Sequence, residues 1–87
     1  MSEFRLAPEA EAELDDIWLY FARESGDIDI ATRVVEKIIE HFWLLAQYPY
    51  LGRSRDKDLR PGLRSFAVDD YLIIHRIVED DVVLILN

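Results

Sequence analysis

The hydrophobic period of this chain changes once, from 3.6 residues to 2, and the change falls across a cationic segment at 53–64. Upstream of it, apolar residues recur every three or four positions; downstream, they come in short runs separated by acidic pairs. A chain whose helical pattern comes first and whose strand pattern follows builds an α+β fold, because helices and strands segregate instead of alternating. With 87 residues, a single domain spanning 1–87 is expected, since two halves would each be too small to enclose a core.

The punctuation supports that reading. Residues 3–6 alternate polar and apolar, as a short first strand does. Pro8 has a fixed φ and no N–H to satisfy, which suits the first position of a helix, and Glu9 and Glu11 lie where the helix dipole favours negative charge. Ala10, Leu14, Ile17, Trp18 and Phe21 then share one face, with Trp18 and Phe21 expected in the core, and Ser25-Gly26 ends the helix. Asp27 or Asp29 caps a second helix whose apolar face is Ala31, Val34, Val35, Ile38, Phe42, Leu45 and Ala46, and Pro49 stops it. Beyond Pro61-Gly62, strands are expected over Leu63–Val68, Tyr71–Val78 and Val82–Asn87, with turns at Asp69-Asp70 and Glu79-Asp80-Asp81. The expected order is β-α-α-β-β-β, a helical hairpin packed on one face of a mainly antiparallel sheet.

Charge is distributed unevenly. Residues 1–52 carry 4 basic and 11 acidic side chains, 53–64 carry 5 and 2, and 65–87 carry 1 and 5, for a net charge of -8. The cationic segment reads either as a solvated loop whose arginines pair with neighbouring carboxylates or as a local anion- or partner-binding patch. The net acidity argues against general nucleic-acid coating, which needs cationic contacts to phosphate, so direct DNA binding is not expected. Without cysteine there are no disulfides, thiolate metal sites or cysteine nucleophiles, and a reducing cytoplasm suits the chain. No apolar run is long enough to cross a membrane, and the start does not resemble a signal peptide.

Two features exceed what a monomer needs. In the strand at 71–78, Tyr71, Ile73 and Ile77 oppose Leu72, Ile74 and Val78, and in the last strand Val82, Leu84 and Leu86 oppose Val83 and Ile85. Both sheet faces are apolar, yet one helical hairpin covers only one. The second requires cationic-loop residues, a partner chain or another copy, unless its β-branched residues simply serve strand geometry. Leu19, Trp43 and Leu44 also fall outside the core stripes of their helices, as a docking surface or as broad packing within the hairpin.

Recognisable chemistry is sparse. Gly26, Gly52 and Gly62 lie too far apart for a phosphate loop, and no metal-binding spacing is present, so neither metal nor cofactor is expected. His41 and His75 come from different elements and read as satisfied structural histidines. The acidic residues at 9–16 read as a solvated helix face. Arg53, Arg55, Arg64, His75 and Arg76 are the candidate catalytic residues, because cations stabilise charge at a scissile phosphate and a histidine transfers protons.

Three stretches carry a family resemblance: LAPEAEAELDDIWLYF at 6–21, ATRVVEKIIEHFWLLAQYPYLGR at 31–53 and GLRSFAVDDYLIIHRIVEDDVVLIL at 62–86. Together, the Pro-led helix, the P-x-L-G-R turn at 49–53, the G-L-R at 62–64 and the Y-L-I-I-x-R strand at 71–76 resemble the RelE/ParE superfamily of type II toxin–antitoxin toxins, and its ParE branch most closely. The resemblance implies a cytoplasmic toxin, of the kind linked to plasmid stabilisation, that a cognate antitoxin neutralises by laying a segment across it. Leu19, Trp43, Leu44, Tyr48 and Arg64 are the residues expected to receive the antitoxin. It further implies inhibition of DNA gyrase by binding; the alternatives are a RelE-like ribosome-dependent mRNA endonuclease using the arginines above, or a shortened, non-toxic antitoxin-binding homologue. Arg64 and Arg76 match recurrent family arginines, and His75 stands where many relatives have tyrosine. Relatives commonly extend the last strand into a segment resembling V-L-H-G-x-R-D, so the chain is expected to be short at that end. That shortness and the net acidity favour binding over nuclease action.

Overall fold

A computed structural model describes residues 3–57 and 60–87, so the part of the cationic segment at 58–59 lies outside the described residues. Strand β1 (Phe4–Leu6) leads into helix α1 (Pro8–Ser25) and helix α2 (Ile28–Gln47). Then follow β2 (Arg53–Ser54), β3 (Leu63–Val68), β4 (Tyr71–Ile77), a 3-10 turn at Glu79–Asp81 and β5 (Val83–Ile85). The sheet order is β1-β5-β4-β3-β2, with β1 parallel to β5 and every other pair antiparallel.

The local signals act as their chemistry dictates. Pro8 opens α1, and Gly26 closes it at φ 68°, its N–H donating 3.0 Å to the Ala22 carbonyl. Of the two candidate caps for α2, Asp27 takes the role, its Oδ1 accepting from the Asp29 N–H at 2.8 Å. The two helices pack as an antiparallel hairpin, and Trp18 Nε1 ties them by donating to Thr32 Oγ1 at 3.2 Å. Trp18 and Phe21 are half-buried, at the margin of the core and not inside it.

The core lies between the hairpin and one sheet face. Ala10, Ile38, Phe42 and Leu45 come from the helices, and Val68, Ile73, Val83 and Ile85 from the strands. Truncating a fully buried Leu such as Leu45 typically costs about 2–5 kcal/mol, which makes this layer the main source of stability. Cross-strand register puts Arg64, Phe66, His75 and Ile77 on the same covered side.

Among the described residues, the opposite face has no helix over it. Leu63, Ile74, Leu84 and Leu86 are only half-buried there, and Leu72 is 48% exposed. The expectation of a second apolar face therefore holds. Ser65 and Val82 are buried on this side, and Ser65 Oγ accepts from Arg55 Nε at 2.8 Å. Three boundaries differ from expectation, the smallest being β4, which ends at Ile77 and not Val78. β2 opens the cationic segment, and β5 is shorter than Val82–Asn87, although Leu86 N–H still donates 2.8 Å to the Ile74 carbonyl.

Candidate functional site

Exposed aromatic surface gathers where α2 ends. Tyr48 caps the helix, its N–H donating to the Leu44 carbonyl at 2.9 Å, and Pro49 cannot continue it. A tight turn follows, with Leu51 N–H donating 3.0 Å to the Tyr48 carbonyl. Tyr48, Tyr50 and Leu51 all project into solvent from this turn. One turn earlier on α2, Trp43 is 56% exposed and stands edge-on to Phe4 of β1, ring centroids 4.6 Å apart. Trp43 thus bridges the helix layer to the sheet edge.

Of the residues expected to receive a partner, Trp43 and Tyr48 lie in this band. Leu44 is half-buried and contributes its edge. Leu19 is 42% exposed, but it neighbours Trp18, level with Thr32, which sits 11 residues from Trp43 on the same helix. At 1.5 Å per residue, that places Leu19 about 16 Å away along the hairpin. It belongs with the closed end of the hairpin, where Tyr20 and Ile28 are also exposed. Tyr50 and Leu51 were missed by sequence reasoning; their place between two chain-stopping residues, Pro49 and Gly52, was the available signal.

Arg64 supports the band from below. Its Nη2 donates to the carbonyls of Tyr50 (3.1 Å) and Gly52, and its guanidinium lies 5.4 Å from the Tyr50 ring centroid. Its Nε is buried without a partner among the described residues.

Beside it, His75 is fully buried, 0% exposed, with neither ring nitrogen hydrogen-bonded among the described residues. This corrects the expectation of a satisfied histidine; it applies to His41, whose Nδ1 lies 2.7 Å from the Lys37 carbonyl, but not to His75. Burial lowers the pKa of His75 below the ordinary histidine value, because a charged ring there would lose its hydration. The Ile73 backbone nearby opposes this at a geometry short of a hydrogen bond, and the Arg64 charge adds to the lowering. Enclosed in this way, the ring presents neither nitrogen to solvent.

The five candidate catalytic residues are divided by the sheet. Arg64 and His75 lie on the helix side, whereas Arg53 pairs with Ser65 and Arg76 with Leu84 on the open side. Arg55 is half-buried against Ser65. Among the described residues, no group of three or more His, Cys, Asp or Glu side chains could hold a metal ion, and no helix is long and apolar enough to cross a membrane.

Comparison with known proteins gives this β-α-α-β-β-β frame and its exposed aromatic band a family. Residues 4–87 match the model of the ParE toxin of type II toxin–antitoxin system, parDE. Toxin ParE3 of Caulobacter vibrioides is 37% identical over 62 residues, covering 71% of this chain and 61% of that protein. Toxin ParE1 of the same organism is 30% identical over 77 residues, covering 88% and 78%. The chain thus spans less than two thirds of ParE3. A solved structure described as the chromosomal ParDE TA system from P. aeruginosa superposes with a TM-score of 0.80 at 25% identity, over 100% of this chain and 92% of the other. The chain belongs to the ParE toxin family, within the RelE/ParE superfamily.

Proposed function

We propose that this chain is the toxin of a ParDE-type pair, that a cognate antitoxin neutralises it by covering the band from Phe4 and Trp43 to Tyr50, and that the free chain inhibits DNA gyrase by binding. The observation that carries the reading is the exposed Trp43, packed edge-on to Phe4 next to three further exposed apolar residues. Apolar surface of this kind is costly in water and marks a place for a second polypeptide. Membership of the ParE toxin family supports an antitoxin as that polypeptide. The nuclease alternative needs Arg53, Arg55, Arg64, His75 and Arg76 to act on one phosphate, and their division between two faces favours the binding reading.

The test is to co-express the chain with the protein encoded by the adjoining reading frame, then to assay purified chain against gyrase supercoiling. Co-purification, and inhibition relieved by that protein, are expected. Unchanged supercoiling with undisturbed growth refutes the gyrase step, and cleaved messages with abrupt translational arrest point to the nuclease.

A further inference from the structure

A cleft of about 660 Å³ opens between the helical hairpin and the β3–β4 turn, and its lining shares no residue with the aromatic band. Val34 and Ile38 of α2 and Val68 of β3 form its aliphatic floor, and the half-buried rings of Phe21 and Tyr71 are its aromatic walls. Exposed Lys37, Asp69 and Asp70 line the mouth. Lys37 Nζ donates to Asp69 Oδ2 at 2.7 Å, which ties the turn to α2. Asp69 also holds a left-handed backbone, φ 52°, a conformation that a short acidic side chain tolerates in a two-residue turn. The mouth of the cleft is therefore fixed in shape.

The ion pair neutralises Asp69 and leaves Asp70 as the unpaired carboxylate of the cleft, with no hydrogen bond or ion pair among the described residues. The hydroxyls of Tyr20 and Tyr71 also lack hydrogen-bond partners among the described residues, and Tyr20 is 58% exposed. Partial enclosure raises the pKa of Tyr71 above the ordinary tyrosine value, and the neighbouring Asp70 and Tyr20 add to the rise. Tyr71 thus keeps its proton and remains a neutral hydroxyl next to both groups. Phe21 stands edge-on to Tyr20, ring centroids 5.1 Å apart. Two free phenols, one free carboxylate and an aromatic wall meet beside an aliphatic floor.

We propose that this cleft receives an arginine side chain presented by a polypeptide partner, its methylene stem on Val34 and Ile38 and its guanidinium against Tyr20, Tyr71 and Asp70. Charge selects the class, because an unpaired carboxylate on a chain of net charge -8 attracts a cation and repels an anion. A wholly apolar ligand would leave Asp70 and two hydroxyls facing it unpaired. Of the two cationic side chains, an ammonium is compact and strongly hydrated. A guanidinium sheds water more readily, packs on aromatic faces and spreads five N–H donors over several acceptors. The surroundings select a polypeptide over a free small cation. Exposed Ile30 shares the α2 stripe of Val34 and Lys37, and with exposed Tyr20 it extends the apolar wall to residues flanking the arginine. The inference stands apart from the proposed function, because no residue of the aromatic band enters it.

The experiment titrates the isotope-labelled full chain with a blocked pentapeptide, one central arginine between leucines and terminal alanines, and follows backbone amide shifts by NMR. Saturable shifts concentrated at 34–38 and 68–71 are expected, with a Kd of about 1 mM or below. The citrulline counterpart, alike in shape but uncharged, is expected to bind at least about 10-fold more weakly. Asp70→Asn, which suits a turn and so spares the fold, is expected to cost about 5- to 10-fold. Glu79→Gln removes the same charge eight residues along the chain from Tyr71, about 26 Å away at strand rise, and is expected to change affinity less than about 2-fold. Equal binding of the citrulline peptide overturns the inference. Equal loss in Asp70→Asn and Glu79→Gln overturns it as well, since the effect is then one of net charge. Spermidine that shifts the same amides at equal or lower concentration overturns it in favour of a free polyamine. Absence of shifts at these amides with about 10 mM arginine peptide overturns it outright. Each of these failures leaves the proposed function untouched, because that reading is tested by co-purification and supercoiling.

Discussion

Gly52→Ala is expected to be among the most damaging single-methyl additions in this protein, and for a reason of space alone. Gly52 is buried, and its φ lies outside the left-handed region that only Gly26 and Gly62 occupy among the glycines. A Cβ there would sit 2.7 Å from His75 Cε1 and 2.7 Å from the Ser65 carbonyl oxygen. Ordinary contacts begin at about 3.5 Å, so both neighbours would be penetrated. The His75 ring is fully enclosed and has nowhere to move, and Ser65 is held by its place in β3 opposite Ile74. The backbone at 52–54 must lift instead, loosening the Arg53–Ser65 pair and the hydrogen bond from Arg64 to the Gly52 carbonyl. Overpacking costs about 1–3 kcal/mol and a lost hydrogen bond about 1, giving a sum near 3 kcal/mol. For a domain of this size that lowers Tm by about 12–24 °C. Urea unfolding followed by tryptophan fluorescence should show a lower midpoint with an unchanged slope. Combining it with His75→Ala removes one of the two clashes, so the double variant should be more stable than additivity predicts by about 1 kcal/mol. A Gly52→Ala variant within about 0.5 kcal/mol of wild type would refute the geometry, as would strict additivity in the cycle.

Other consequences follow from the same region. His75 binds its proton less readily when folded, so the unfolded chain protonates first. Stability is therefore greatest above the ordinary histidine pKa and falls as the pH drops below it, where the unfolded chain takes up a proton that the folded chain resists. A His75→Gln variant should lack that component, and parallel pH profiles for the two proteins would contradict a neutral buried ring. Trp43→Ala should cost no more than about 1.5 kcal/mol of stability, the value of an exposed aromatic pair, but about 2 kcal/mol or more of antitoxin affinity. Equal losses in thermal melts and titrations would return Trp43 to a packing role. Arg64→Lys keeps the charge but not the fork that reaches the Tyr50 and Gly52 carbonyls, so hydrogen exchange at Tyr50 and Leu51 should accelerate. Wild-type protection in that variant would mean that charge alone suffices.

Much of the fold was legible because its boundaries are set by local chemistry. Pro8, Gly26, Asp27 and Pro49 each act within one turn of their own position, so helix limits could be read directly. Strand order could not, because β1 finds its parallel partner β5 across nearly the whole chain, and nothing at Phe4 or Val83 encodes that pairing locally. β2 was invisible for another reason. Two residues within a charged stretch show no alternation, and Arg53–Ser54 is a strand only because β3 lies beside it. The burial of His75 was legible in principle. It shares parity with Ile73 and Ile77, one of the two apolar sets read from the strand, and residue type obscured what position made plain.

The candidate site was readable as an excess of apolar surface but not as a shape, and the difference lies in what the sheet does to sequence neighbours. Arg64 and Ser65 are adjacent in the chain, yet one supports the aromatic turn while the other is covered by Arg55 on the open face. His75 and Arg76 part in the same way, the first enclosed and the second exposed. A cluster of arginines close in sequence therefore becomes two separate sets with different work. The set beneath the sheet is committed to holding Tyr50 and Gly52, so substitutions there act on binding through the fold. Arg53 and Arg76 on the open face support no comparable internal contact among the described residues, so charge reversal there is expected to leave stability unchanged. Stability and affinity measured together on Arg64 and Arg76 variants separate the two sets. Arg64 variants should lose both quantities, and Arg76 variants should keep wild-type stability. The same pattern at both positions would mean that the sheet does not divide their roles.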